Sequence, residues 1–349
     1  DVYKRQVQRG SASRDNGWMT DAVRLRYRRF ADEEAPGRSD LYVDWASGVA
    51  GDPEVQRVLA RIPENRRQPP LVFAVTRMLG VGLVRYDAWR AFVLSRAEEI
   101  VSECSGRRLQ TNEPLRLAPL LPVLSEIDGP IALLEVGASA GLCLYPDRYS
   151  YRFVGSDGQV RAALDPHDGP SPVVLQSRVD GRLPAMRMPD IVWRAGIDLA
   201  PLDARDDRDR RWLQGLVWPG EEGREQRVRA ALDIAASDPP RLIAGDALER
   251  IDALAAEAPR GATLVITTPG VLVHIPREAR TALVERIRGL DARWVTIDPP
   301  AVLGDVWQPA VVAEEWTGFV VALDGDVRAA ADPLGRWWEW RTGIAASAT

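Results

Sequence analysis

Hydrophobic residues recur at helical spacing in the first third of the chain and mainly at strand spacing after it. Ala22, Val23, Leu25, Tyr27 and Phe30 continue a helical stretch that begins at Trp18. Residues 53–60 read as a short helix behind an Asp52 cap, and residues 71–79 as a buried one. Trp89, Phe92, Val93, Ala97 and Ile100 form a stripe across residues 89–104, interrupted only by Arg96. No strand alternation breaks this pattern, so residues 18–127 are expected to fold as a helical subdomain capping the rest. Its last segment sets Gln110, Thr111, Asn112, Glu113 and Arg116 directly ahead of an apolar helix. Thr111 or Asn112 is an N-cap there, with Pro114 in the first turn, or the cluster lines a pocket; it holds more donors and acceptors than a cap requires.

At Ile131 the period changes. The run IALLEV is apolar and partly β-branched, as in a strand buried on both faces, and it ends in an acid before GASAG, a turn with almost no side chain. Tyr149, Tyr151 and Phe153 then alternate as in a strand, as do residues 173–175, with turn chemistry between them. This predicts a β-hairpin insertion near residues 148–180. Core strands follow at residues 191–197, 241–244, 262–268 and 293–297, ending at Asp198, at Gly245 with Asp246, at Pro269 with Gly270, and at Asp298. Helices are predicted at residues 207–218, 221–236, 248–257 and 277–290, and two closing strands at residues 319–323 and 335–340, around Asp324 and Gly325. Alternating strand and helix predict a Rossmann-like α/β domain over residues 128–345, its sheet mostly parallel with an antiparallel C-terminal hairpin.

With 349 residues, 46% of them hydrophobic, the chain can build one large or two modest cores. Its net charge of −5 offers no basic field to a nucleic-acid backbone, and the arginines of residues 205–211 are interleaved with aspartates, as on a solvated helix face. Nucleic acid is not an expected partner. No apolar run is long enough to span a bilayer and no basic-then-apolar leader opens the sequence, so no membrane partner and a cytoplasmic location are expected. Cys104 and Cys143 are too few for a disulfide framework and match no zinc spacing, so no metal is expected. The hexapeptide DVYKRQ holds the only lysine, Lys4. Residues 1–6 are expected to be adaptor-derived, and residues 1–17 a leader outside the fold. The closing tryptophans Trp337, Trp338 and Trp340 are expected mostly in the core.

Three chemistries fit a strand, a small-residue turn and a following helix. The dinucleotide fingerprint GxGxxG fails at Ser139 and Leu142. Gly137, Ser139 and Gly141 match GxSxG, which makes Ser139 a candidate nucleophile of an α/β-hydrolase-type esterase. Such an elbow needs strands and an oxyanion loop ahead of it, where this chain is helical, and a late histidine, where only His167 and His274 exist. The third is the S-adenosylmethionine turn, acid-x-Gly-x-small-x-Gly, met by Glu135, Gly137, Ser139 and Gly141.

EVGASAG after an apolar strand resembles the first motif of class I S-adenosylmethionine-dependent methyltransferases. The chain is also similar, over nearly its whole length, to the bacterial domain-of-unknown-function 2332 family. That likeness rests on QTNE followed by Arg116, EVGASAGL followed by DRY, GIDLAPLD, RWLQGLVWP, GDA and the closing DPLGRWWEW. The family implies a methyltransferase-like activity without naming a substrate. The resemblance implies that Glu135 accepts hydrogen bonds around the methionine portion of S-adenosylmethionine and that Gly137, Ser139 and Gly141 let the backbone approach it. It further implies that Asp198 holds the ribose hydroxyls and Asp246 accepts from the adenine amino group. Asn112, Glu113 and Arg116 are expected to line the substrate pocket. Methyl transfer is an in-line displacement that needs alignment, and a base only for a protonated acceptor; His274, just past the fourth core strand, is the candidate base. Where the family has an aromatic-His-Ser sequence this chain reads Thr267, Thr268 and Pro269, and Cys143 stands in place of an Asn. The expectation is a methyltransferase-like enzyme acting on a small molecule. The esterase and a non-catalytic cofactor-binding protein on the same scaffold are the alternatives.

Overall fold

The computed structural model describes residues 19–341, so the expectations for residues 1–17 lie outside the described residues. The chain separates into two compact units, Asp1–Thr111 with Asp207–Gln226, and Asn112–Asp206 with Arg227–Thr349. Among the described residues no helix is long and apolar enough to cross a membrane.

All regular elements described in the first unit are helical. Asp52 caps the helix Pro53–Leu59, accepting from the Glu54 and Val55 amides with Pro53 at the first helical position. The stripe at residues 89–104 is split into Tyr86–Ser95 and Ala97–Gly106, because Arg96 leaves helical backbone at φ −122°, ψ 29°. Tyr42, Trp45, Phe73 and Trp89 are fully buried in this unit, and Trp89 Nε1 donates to Thr76 Oγ1. The RWLQGLVWP segment belongs here: Trp212 is buried, and Arg77 Nη1 donates to the Gly215 carbonyl at 3.0 Å.

The second unit is built on an 11-stranded sheet. Its strands are β1 (Pro130–Val136), β2 (Ser150–Val154), β3 (Val160–Leu164), β4 (Val174–Asp180), β5 (Asp190–Asp198), β6 (Arg241–Ala244), β7 (Thr263–Pro269), β8 (Arg293–Asp298), β9 (Phe319–Leu323), β10 (Asp326–Ala331) and β11 (Trp337–Trp340). In space they run β3-β2-β4-β11-β10-β9-β8-β7-β1-β5-β6. The neighbours from β8 to β6 are all parallel. Among themselves these strands lie in the order third, second, first, fourth, fifth, the doubly wound arrangement whose switch point falls between β1 and β7. Leu134, Val136, Ile266 and Trp294 pack with Ile251, Leu283 and Ile287 of the helices Ala247–Ala255 and Arg277–Arg288. The helix Leu117–Leu124 is buried at every position.

This is a mixed α/β fold with a mostly parallel sheet, and it alters three expectations. The inserted hairpin is no separate excursion: β2 pairs in parallel with β4, and β4 with β11, so it forms the far wing of the same sheet. The closing hairpin contains a third strand, β10, which continues from the Asp324–Gly325 turn. No α-helix follows GASAG, only a 3-10 turn at Leu142–Leu144. The Leu142 and Pro146 carbonyls accept from the Tyr149 and Tyr151 hydroxyls instead, and Pro146 itself cannot supply a helical N–H. Of the closing tryptophans, Trp338 is fully buried, edge-on to Phe153 at 5.3 Å.

The turn between β9 and β10 locks the antiparallel strands onto β8. Asp324 and Gly325 both have positive φ, 57° and 95°, as a two-residue hairpin turn requires. Asp324 accepts from the Trp294 amide at 2.7 Å and from Arg293 Nε. A Cβ on Gly325 would lie 2.8 Å from the Val306 carbonyl. Gly325→Ala is therefore expected to cost about 1–3 kcal/mol, seen as a lower urea midpoint at unchanged slope. An unchanged midpoint would contradict this account of the turn.

Candidate functional site at the carboxyl ends of the parallel strands

The central strand β1 is apolar except for Glu135, one residue from its end and 3% exposed. In register it lies beside Thr267 of β7. Glu135 Oε2 and Thr267 Oγ1 are both buried without a hydrogen-bond partner, as are Asn112 Nδ2, Ser139 Oγ and Asp298 Oδ1. Native interiors leave few polar groups in this state, and these five of the nine such atoms among the described residues lie on segments around these strand ends, which makes this the candidate site. Burial pushes the Glu135 carboxyl well above the usual carboxylate range; Arg116 pulls it down and Asp198 pushes it further up. Among the described residues no group of three or more His, Cys, Asp or Glu side chains gathers as a metal site.

Arg116 is the cation of this region. Its Nη1 donates to the Pro269 carbonyl at 2.8 Å and its Nε to the Pro333 carbonyl at 3.0 Å. The guanidinium acts electrostatically on Glu135, Cys143, His274 and Asp298. Gly335, at φ 82°, lets the chain at Leu115 pass, since a Cβ there would overlap the Leu115 carbonyl. The segment carrying Arg116 and the DPLGRWWEW segment therefore meet. The cap on this stretch is Glu113, not Thr111 or Asn112: its Oε1 accepts from the Leu115 amide at 3.0 Å and from Arg227 Nε at 2.8 Å. Of the three residues expected in a pocket, Glu113 is engaged in structure and Arg116 is anchored to carbonyls, while the Asn112 amide nitrogen is unpartnered.

The GASAG turn is left-handed at Gly137, Ser139 and Gly141, with φ of 76°, 52° and 73°. A Cβ on Gly137 would meet Val271 at 2.5 Å and one on Gly141 would meet Pro240 at 2.8 Å, so protein side chains occupy the space these glycines leave. Asp198 clamps the turn: Oδ2 accepts from the Ser139 amide and Oδ1 from the Ala200 amide, both at 2.8 Å. Beside Ala140 a cleft of about 240 Å³ opens between Leu202, Pro239, Pro240 and Leu242. Asp246 stands exposed as the N-cap of Ala247–Ala255, accepting from the Leu248 amide. His274 ends the 3-10 turn Leu272–His274 after β7 and is exposed, and partial desolvation followed by Arg116 holds its imidazole below the ordinary value. The fold thus gathers Glu135, Ser139 and Asp198 at the turn and sets Arg116 and His274 in the electrostatic neighbourhood, with Asp246 an exposed cap.

Sequence reasoning placed a strand end at Asp298 and gave it no role. The structure shows a buried run of hydrogen bonds leading to it. Trp294 Nε1 donates to Thr268 Oγ1 at 3.0 Å, Thr268 Oγ1 to Thr296 Oγ1 at 2.8 Å, and Thr296 Oγ1 to Asp298 Oδ2 at 2.7 Å. Burial pushes the Asp298 carboxyl up to about 7, against the pull of Thr296, Arg116 and the Val273 and Leu272 amides. The available signal was RWVTID, where a threonine and an acid alternate on one side of an apolar strand.

A family model described as "Uncharacterized protein conserved in bacteria (DUF2332)" matches residues 84–340. The chain belongs to this family. No curated protein and no solved structure matches it. In this DUF2332 chain EVGASAGL, DRY, GIDLAPLD, GDA and DPLGRWWEW lie in the sheet unit, and RWLQGLVWP lies in the helical one.

Asp298 should tie stability to pH. The folded chain holds its proton up to about 7, against 3.8 for an ordinary aspartate, so unfolding between those values releases a proton. The stability from keeping this group neutral is complete below about pH 4 and lost as pH rises through about 7, on the order of 1.4 kcal/mol for each pH unit crossed. Asp298→Asn is expected to flatten the rise of unfolding free energy from pH 7 to pH 4, measured by urea denaturation at each pH. An unchanged slope would rule out Asp298 as its source.

Proposed function

We propose that this DUF2332 protein binds S-adenosylmethionine at the β1/β7 switch point and acts as a methyltransferase-like enzyme on a small-molecule acceptor. On this reading its sheet is of the class I methyltransferase type. The observation that carries it is Glu135, a buried carboxyl group with one oxygen unpartnered, beside a left-handed small-residue turn at the switch point. Open α/β sheets bind ligands in that crevice.

The residues present fit the cofactor. Glu135 Oε2 and Thr267 Oγ1 would accept from its ammonium group, and Asn112 Nδ2 would donate to its carboxylate. The cleft beside Ala140 and Leu242 would take the base. Asp198 and Asp246 keep their proposed places on the ribose and adenine side, each using remaining lone pairs beyond the amides it already serves. Bound there, the cofactor would supply an electrophilic methyl group. The chain would align an acceptor and exclude water, and His274, held neutral near neutral pH, would take an acceptor's proton.

The esterase reading keeps one supporting feature, the positive φ of Ser139, which suits a strained nucleophile. Its hydroxyl, however, bonds to no base. Gly137→Leu is a poor probe of either reading, since its side chain would collide with Val271.

Isothermal titration of the full chain with S-adenosylhomocysteine tests the proposal. Binding is expected, and Glu135→Gln should weaken it roughly ten- to hundredfold, the worth of a hydrogen bond to a charged group. Absence of both binding heat and thermal shift with the native chain would overturn the cofactor reading. Fluorophosphonate labelling of Ser139 would favour the esterase, and binding without transfer of a labelled methyl group to any small molecule of a bacterial extract would favour the non-catalytic alternative.

A further inference from the structure

We propose that Asp298 is a second ligand-binding carboxyl of this site: its Oδ1 receives an N–H or O–H donor of the bound S-adenosyl ligand, and its proton leaves to solvent as that donor arrives. The inference rests on the cofactor reading above.

The hydrogen-bond run has a direction. An indole N–H only donates, so Thr268 Oγ1 accepts it and gives its single proton to Thr296 Oγ1. Thr296 gives its own to Asp298 Oδ2 at 2.7 Å, the alternative being the Thr268 carbonyl at 3.3 Å. Oδ2 is therefore an acceptor, and a proton held by Asp298 sits on Oδ1. That oxygen is fully buried and has no partner in hydrogen-bond geometry, although the Leu272 and Val273 amides lie close enough to favour the charged form.

Its position matches a ligand group. Asp298 ends β8, beside β7 at the same end of the sheet as Glu135. Around it stand Thr296 from its own strand, Arg116 from the segment Pro114–Arg116, and the turn after β7 that ends in His274. Arg116 acts on Glu135 as well, so one guanidinium serves both carboxyls. Placing a ligand donor against Oδ1 replaces an O–H with no acceptor by a charge-assisted hydrogen bond. The balance is simple: the carboxylic acid becomes a carboxylate bonded to the ligand donor, and one proton passes to the buffer.

The test is isothermal titration with S-adenosylhomocysteine at about pH 6, in phosphate and in imidazole, whose different ionisation enthalpies report the protons released. The native chain is expected to release about one proton more per ligand bound than Asp298→Asn, which binds more weakly. Thr296→Val, which removes the donor on Oδ2, should move the same release to higher pH, and it keeps the test decisive if Asp298→Asn does not fold. Equal proton counts in the native chain and Asp298→Asn would overturn the proposal while leaving the cofactor reading intact, as would an unmoved pH profile in Thr296→Val. Absence of any binding by the native chain would overturn both.

Discussion

Carboxyl groups held out of water at the carboxyl ends of parallel strands are what the rest of this sheet is arranged around. Desolvating a carboxylate is costly, and in a fold of this size it is sustained only where an opposite charge or a change of protonation offsets it. Here both occur. Arg116 acts on Glu135 and Asp298 while its Nη1 and Nε donate to the Pro269 and Pro333 carbonyls, and burial drives both carboxyls toward their neutral forms. The arrangement needs three stretches far apart in sequence, and the glycine at 335 is what lets two of them touch.

Around that constraint the fold supplies rigidity. Asp198 fixes the GASAG turn from the neighbouring strand, and Val271 and Pro240 fill the spaces where its glycines lack side chains. Glu113 joins the Leu115 amide to Arg227. Each contact holds a segment next to the unpartnered atoms without satisfying them, which is the condition for a preorganised site.

Much of this architecture was legible in the sequence, because strands buried on both faces read as apolar runs and their ends as acids and glycines. The Asp52 cap and the mostly parallel character of the sheet followed from the same periodicity, whereas the order of its strands did not. What escaped notice depended on partners remote in the chain. The 3-10 turn at Leu142–Leu144 stands where a helix was expected, its Leu142 carbonyl accepting from the Tyr149 hydroxyl and its Leu144 carbonyl from Arg194 Nη1, and β4 joins the sheet through β11, more than 150 residues away in the numbering of their pairs. Glu135 and Arg116 were visible as motif residues. Asp298 was not, since its significance lies in a hydroxyl chain running across two strands and in burial that a single strand's pattern does not report.

The most direct measurement is a crystal structure of the chain grown with S-adenosylhomocysteine. The expected result is ligand density at the β1/β7 switch point, with an ammonium group within hydrogen-bond distance of Glu135 Oε2. Density only elsewhere, such as the cleft lined by Asp147 and His167, with Glu135 still unpartnered, would contradict the account.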